Sequence, residues 1–179
     1  MKEMAMDFAS KLLSLPILSV RQPWASYVVS GLKSIELRSW STEYRGWLWI
    51  HTGKKPDSLA MQMLNLNSEE FDCGGLIGLA KIEECYLIDS EIKWRLHRSQ
   101  HLSPGRFQGE CYGWRITDAL SLSDIIQCPG ELGLFRLSGS IYKQVRQEIE
   151  GDKHNEFIEC ARELLIPSLG NILTVPFGQ

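Results

Sequence analysis

Two short stretches of this chain alternate with a period of two, and no other feature narrows the fold as far. Over residues 35–40, Ile35 and Leu37 take one side while Glu36, Arg38 and Trp40 take the other. Over residues 45–51, Leu48 and Ile50 face one way and Arg45, Trp47, Trp49 and His51 the opposite way. A helix would scatter these residues around its circumference, whereas a strand sorts them onto two faces. The four-residue connection 41–44 permits a hairpin, which would lay both charged and aromatic faces on one sheet surface.

The flanking segments fill in the class. Apolar, β-compatible runs predict further strands over 17–20, 76–88, 111–117 and 132–137. A first helix over 4–14 uses Met4, Phe8, Leu12 and Leu13 and is stopped by Pro16. A second begins with Pro23 at its first position, places Trp24, Tyr27, Val28 and Leu32 at helical spacing, and ends at Gly31. A third opens at 54–58 with Leu59, Met63 and Leu64 inward, and a fourth covers 89–102 before an exposed loop over 103–110. Residues 121–131 read as irregular, with Pro129-Gly130 as a turn. Ser138 or Ser140 then caps a helix with Ile141, Val145 and Ile149 on one side. Gly151 interrupts it, a last helix follows over 156–165, and a tail containing Pro167, Gly170 and Pro176 runs extended from Ile166. Five or so short strands with a few helices define an α+β fold around a small, mixed, mostly antiparallel barrel flanked by helices. A length of 179 residues, 44% of them hydrophobic, suits one domain with a helical C-terminal extension.

Net charge is only −3, but it is unevenly placed. Residues 1–55 carry a small excess of Lys and Arg, and the remainder an excess of Asp and Glu, as a polyanion-binding end on an acidic body would. The five cysteines are odd in number and contain no CxxC pair, which points to free thiols in a reducing compartment and away from a zinc site. Asp7 and Lys11 break the apolar start that would otherwise imitate a signal peptide, and no run is long enough to span a membrane. A cytoplasmic protein without metal or cofactor is expected.

The chemistry concentrates in residues 18–55. Arg21, Lys33, Arg38, Arg45, Lys54 and Lys55 face only Glu36 and Glu43, and Trp24, Trp40, Trp47 and Trp49 are four of the six tryptophans. Cations interleaved with flat rings suit a single-stranded nucleic acid, whose phosphates and unstacked bases they can hold together. A solvated charged surface and a buried set of indoles are the ordinary alternatives.

Residues 31–38, Gly31-Leu-Lys33-Ser-Ile-Glu36-Leu-Arg38, resemble the G-x-K-x-x-E-x-R signature of the ASCH domain family. Gln22-Pro23-Trp24-Ala25 upstream, Arg45-Gly46-x-Leu48-x-Ile50 and Lys54-Lys55-Pro56 agree with it, and look most like the ASCH domain of the human transcription coactivator after which the family is named. Tyr112-Gly-Trp114 and Gly130-Glu-Leu-Gly133-Leu-Phe135 resemble the closing strands. The resemblance covers residues 15–138 and leaves 139–179 as a helical extension and tail. It implies a PUA-like barrel with a cleft beside the signature, in a superfamily associated with RNA and DNA. Some bacterial members are acetylcytidine amidohydrolases whose catalytic lysine corresponds to Lys33. Their threonine three residues later is Glu36 here, which departs from that mechanism; others have been assigned ribonuclease activity.

These considerations assign nucleic-acid contacts to Gln22, Trp24, Lys33, Arg38, Trp40, Arg45, Trp49, His51, Lys54 and Lys55. Trp40, Trp47 and Trp49 are the better stacking candidates and Trp24 the better core candidate. Gln22 serves either a base edge or the cap of the next helix. Glu36 and Arg38 share a strand face, so an ion pair is favoured over a general-base role for Glu36. The expected partner is RNA or single-stranded DNA, or a nucleotide-like small molecule. A hydrolase of modified nucleosides or RNA using Lys33 and Glu36, and a protein adaptor working through the C-terminal helices, are the other readings.

Overall fold

A computed structural model describes residues 2–169, with side chains over 8–167; Met4's side chain, Gly170 and Pro176 lie outside the described residues. Helix α1 (Lys2–Leu13) stops short of Pro16, and strand β1 (Ile17–Val20) follows directly. In α2 (Trp24–Val29), Pro23 occupies the N-cap, one place before the expected first position. The Gln22 carbonyl oxygen Oε1 accepts the Ser26 amide at 3.0 Å, so this side chain caps the helix. The helix ends before Gly31, whose φ of +77° suits a residue without Cβ. Leu32, expected to continue the helical spacing, lies beyond the helix and is exposed.

Strands β2 (Ile35–Arg38) and β3 (Gly46–Thr52) both form where the alternation predicts, but they do not pair with each other. After them come α3 (Ser58–Met63), β4 (Gly75–Ile88), α4 (Glu91–Leu96), α5 (Arg98–His101), β5 (Cys111–Gln127), β6 (Leu134–Phe135), α6 (Gly139–Ile149) and α7 (Asn155–Leu169). The sheet order is β2-β5-β4-β3-β1-β6, with β1 and β3 parallel and the other pairs antiparallel. Two strands thus separate β2 from β3, and the expected hairpin is absent. β3 is apolar on both faces and takes an interior place between β4 and β1, whereas β2, with Glu36 and Arg38 on one face, lies at an edge. The sheet curls into a half-barrel, closely enough for Arg38 on β2 to reach β1: its Nη1 donates to the Ser19 carbonyl at 3.2 Å.

Other differences have local causes. β5 runs through Gln127, across residues expected to be irregular, because three register shifts against β4 absorb the broken alternation. The single helix expected over 89–102 divides at His97 into α4 and α5. In α3 the buried residues are Ala60 and Met61, while Leu59 and Met63, expected inward, are exposed. α7 continues past Pro167, where an extended tail was expected; a proline near the helix end removes one backbone bond without unwinding the turns before it.

Two apolar layers result. Inside the curl, Leu18, Val20, Val28, Leu48, Ile50, Ile82 and Trp114 pack together. On the outer face of β3, Trp47 and Trp49 are covered by Phe8, Leu12 and Leu13 of α1, Val145 and Ile149 of α6, and Phe157 and Leu165 of α7. The Trp49 ring stacks on Phe157 at 5.6 Å and its Nε1 donates to the Leu12 carbonyl at 2.9 Å. No helix among the described residues is long and apolar enough to cross a membrane.

Candidate functional site

The turn between α2 and β2 carries Lys33, and β2 projects Glu36 and Arg38 on one face two residues apart. Glu36 lies between the two cations: Oε2 is 3.2 Å from Lys33 Nζ and Oε1 is 3.6 Å from Arg38 Nη1. Lys33 and Glu36 are almost fully buried, at 2% and 5% exposure. Lys33 also donates to the Ile35 carbonyl and holds its ammonium 5.7 Å from the centre of the Trp24 ring. Burial lowers the Lys33 pKa from its usual range, against the opposing pull of the Glu36 charge and hydrogen bond. The signature therefore places a buried Lys33–Glu36 pair behind Trp24 and the partly exposed Arg38, and the expected phosphate contact by Lys33 has no open approach.

In front of it lies a cleft of about 430 Å³, a volume within the range that takes a small organic ligand. Trp24, Leu37, Arg38 and Ser39 line one side; Asp57, Leu59, Ala60 and Met63 come from α3 and its cap; Trp94 and residues from 103 to 111 complete it. Trp24 is half-buried and its orientation is set by α3: Nε1 donates to Asp57 Oδ2 at 3.1 Å, while Asp57 Oδ1 accepts the Ala60 amide at 3.0 Å. The exposure of Leu59 and Met63 gives the cleft an apolar rim. Trp94 is buried, and its indole N–H has no hydrogen-bond partner among the described residues.

Of the residues assigned from sequence, Trp24 and Arg38 line the cleft and Lys33 and Glu36 lie behind it. Trp40 stands beside Arg38, its ring centre 5.5 Å from the guanidinium, and packs edge-on against Trp114 at 4.6 Å. Lys54 and Lys55 are exposed on the approach to α3. Arg45 is exposed but donates to the carbonyls of Thr42 and Tyr44, away from the cleft lining. Trp49, with Trp47, is withdrawn into the core because α1, α6 and α7 cover its face, so neither can stack on a base. Gln22 is fully buried; its Nε2 donates to the Asp72 carbonyl at 2.8 Å, leaving no edge to read a base. His51 is buried as well, with Nε2 at 3.0 Å from the Cys128 carbonyl and Nδ1 at 3.1 Å from Ser19 Oγ. The carbonyl can only accept, so Nε2 carries the proton and Nδ1 accepts from the serine. Burial lowers the His51 pKa from its ordinary value, the bond to Cys128 opposing.

Asp57, Trp94 and the Arg106 loop escaped the sequence reading. Arg106 follows Pro104-Gly105 in a loop assigned no role, and only folding brings that loop opposite β2.

The mixed, curled sheet with flanking helices and a cleft beside its lysine–glutamate–arginine turn defines a PUA-like α+β domain. Within that class, the chain belongs to the ASCH domain family, whose model matches residues 18–126. Activating signal cointegrator 1 of Homo sapiens is 38% identical over 80 residues, which take in 38% of this chain and 14% of that protein. Its Mus musculus counterpart is 36% identical over 80 residues, again 14% of its length; the matched part is thus a small fraction of either relative. In structure, a variant of the Zymomonas mobilis ASCH protein superposes with a TM-score of 0.51 at 15% identity, covering 77% of this chain and 95% of that one. That likeness concerns the fold.

Proposed function

We propose that this chain binds single-stranded nucleic acid, RNA or DNA, by seating one nucleotide in the cleft between Trp24, Arg38 and the Arg106 loop. The observation that carries this reading is the distribution of uncompensated cations. Away from the cleft, Lys81, Lys93, Arg95, Arg115, Arg146 and Arg162 each meet a carboxylate. The side chains of Arg21, Lys54, Lys55 and Arg106 have neither a carboxylate nor a hydrogen-bond partner among the described residues, and they belong to the cleft-lining loop or to the segments leading into α2 and α3. Lys143 and Lys153, on the C-terminal extension, are the other such lysines among the described residues with described side chains. Cations left without counterions are poised to take phosphates. Trp24 offers a half-buried ring for a base, and membership of the ASCH family supports the same ligand class. A cytoplasmic location accords with the five free thiols.

Hydrolysis by Lys33 and Glu36 is the less supported reading: both groups are buried behind Trp24 and are engaged with each other. Fluorescence anisotropy with a labelled single-stranded oligonucleotide tests the proposal. Binding should weaken with salt, and Arg106→Ala should reduce the log–log salt slope by about 0.7 for each single-strand phosphate that the arginine neutralises. Equal affinity for a neutral-backbone oligonucleotide, or a slope unmoved by substituting Arg21, Lys54, Lys55 and Arg106 together, would overturn it. A free nucleotide that competes fully would make the ligand a small molecule.

A further inference from the structure

His101 takes no part in the binding proposed for the cleft, although it is fully buried beside it. It ends α5 and touches both parts of one cleft wall. Its Nε2 lies 2.9 Å from the Trp94 carbonyl, and its Nδ1 accepts the Ser103 amide at 3.0 Å. The ring also packs on the Trp94 indole, centres 4.3 Å apart. Both Trp94 and Ser103 line the cleft. Between them Leu102 takes a left-handed conformation, φ +59°, a strained geometry that neighbouring bonds must hold. The next residues are secured by Arg98, which donates to the Pro104 and Gly105 carbonyls at 2.9 and 3.3 Å.

The partners dictate one protonation state. A carbonyl can only accept and an amide N–H can only donate, so the imidazole must carry its proton on Nε2 and keep a lone pair on Nδ1. A second proton would face the Ser103 N–H and abolish that bond. The charged groups facing the ring are Lys33 from the turn before β2, His97 from the α4–α5 junction and Arg98 from α5, all cationic or potentially so.

We propose that His101 is a positioning residue of the cleft, a neutral imidazole that ties Trp94 to the segment carrying Arg106 and releases that segment on protonation. As a statement about ligand binding this rests on the nucleic-acid reading; as a statement about the cleft wall it does not. Burial first, and then the nearby cations, lower the pKa of this histidine from 6.5, while the bond to Trp94 opposes them. The folded value therefore lies below the unfolded one, so the ordered wall is complete above about 6.5 and is lost as pH falls through the lower folded value.

The test uses the full chain in two arms. In the protein alone, nitrogen-detected NMR should show the Nε2–H tautomer at about pH 7.5, and the Ser103 amide resonance should shift along the His101 titration. In the second arm, affinity for a fluorescein-labelled single-stranded oligonucleotide at constant salt should fall by about tenfold as pH is lowered from about 7.5 through the His101 titration seen in the first arm. His101→Gln, which keeps one donor and one acceptor but does not titrate, should retain binding and flatten that profile. A proton on Nδ1 at neutral pH, a Ser103 amide indifferent to the His101 titration, or an unchanged profile in His101→Gln would each overturn the proposal. A titrating Ser103 amide with no oligonucleotide bound at any pH would sustain the positioning role and remove the nucleic-acid reading instead.

Discussion

Arg38 Nη1 donates to the main-chain oxygen of Ser19 at 3.2 Å, joining an edge strand of the sheet to the strand next to its opposite edge. The same guanidinium bonds Glu36 and lines the cleft, so curvature and binding share one side chain.

Arg38→Ala should therefore lose on two counts. Removing a charged hydrogen bond costs about 1.5–3 kcal/mol, read as a lower urea midpoint, and oligonucleotide affinity should drop together with its salt slope. Arg38→Lys keeps the charge, but its shorter side chain does not carry a donor as far as the Arg38 Nη1 that meets both Glu36 and Ser19, so it should recover salt dependence better than stability.

Glu36→Ala leaves Lys33 buried with its principal counter-charge gone. Breaking a buried pair from one side costs about 3–5 kcal/mol, a large part of the roughly 5–15 kcal/mol that holds an ordinary domain folded. The double variant Lys33→Met with Glu36→Leu should be markedly more stable than Glu36→Ala alone. Chemical denaturation of the three proteins checks the order. A Glu36→Ala protein as stable as wild type would contradict the buried Lys33–Glu36 pairing.

Trp24 and Trp49 should respond oppositely to ligand. Bound oligonucleotide should quench Trp24, and Trp24→Phe should abolish most of that signal. Trp49→Phe should leave the quench intact and lower the melting temperature instead, because its indole bonds Leu12 and stacks on Phe157. Truncation before residue 139 should uncover the same face and give an aggregating protein, since Val145, Ile149, Phe157 and Leu165 cover it.

His51 makes stability fall on acidification. Its pKa is lowered from 6.5 by burial, which favours the neutral ring, while the bond to the Cys128 carbonyl opposes that shift. The contribution is complete above about 6.5 and disappears as pH drops through the lower folded value. Gly130 leaves no slack for the ring to escape, because a Cβ there would sit 2.3 Å from His51 Cε1. Urea midpoints measured from about pH 7.5 to about pH 5 should fall more steeply in wild type than in His51→Gln.

Local pattern was sufficient for much of this architecture. Period-two alternation places β2 and β3, Pro16 and Gly31 mark where helices stop, and the spacing of Ile141, Val145 and Ile149 gives the buried face of α6. The shared face of Glu36 and Arg38 follows from strand geometry alone, and their ion pair was legible for that reason. Alternation, however, says only that two sides differ, not what each side meets. Trp47 and Trp49 look like an open aromatic face until α1 and α7, remote in sequence, close over it. Gln22, Lys33 and His51 carry polar groups that read as available for a ligand, but the folded chain engages them internally. Conversely, Arg106 and Trp94 join Trp24 only because β5 turns back to pair with β2. Short-range preference fixes the conformation of a segment; which side chains share a cleft depends on contacts between distant segments, and those exist only once the sheet has curled.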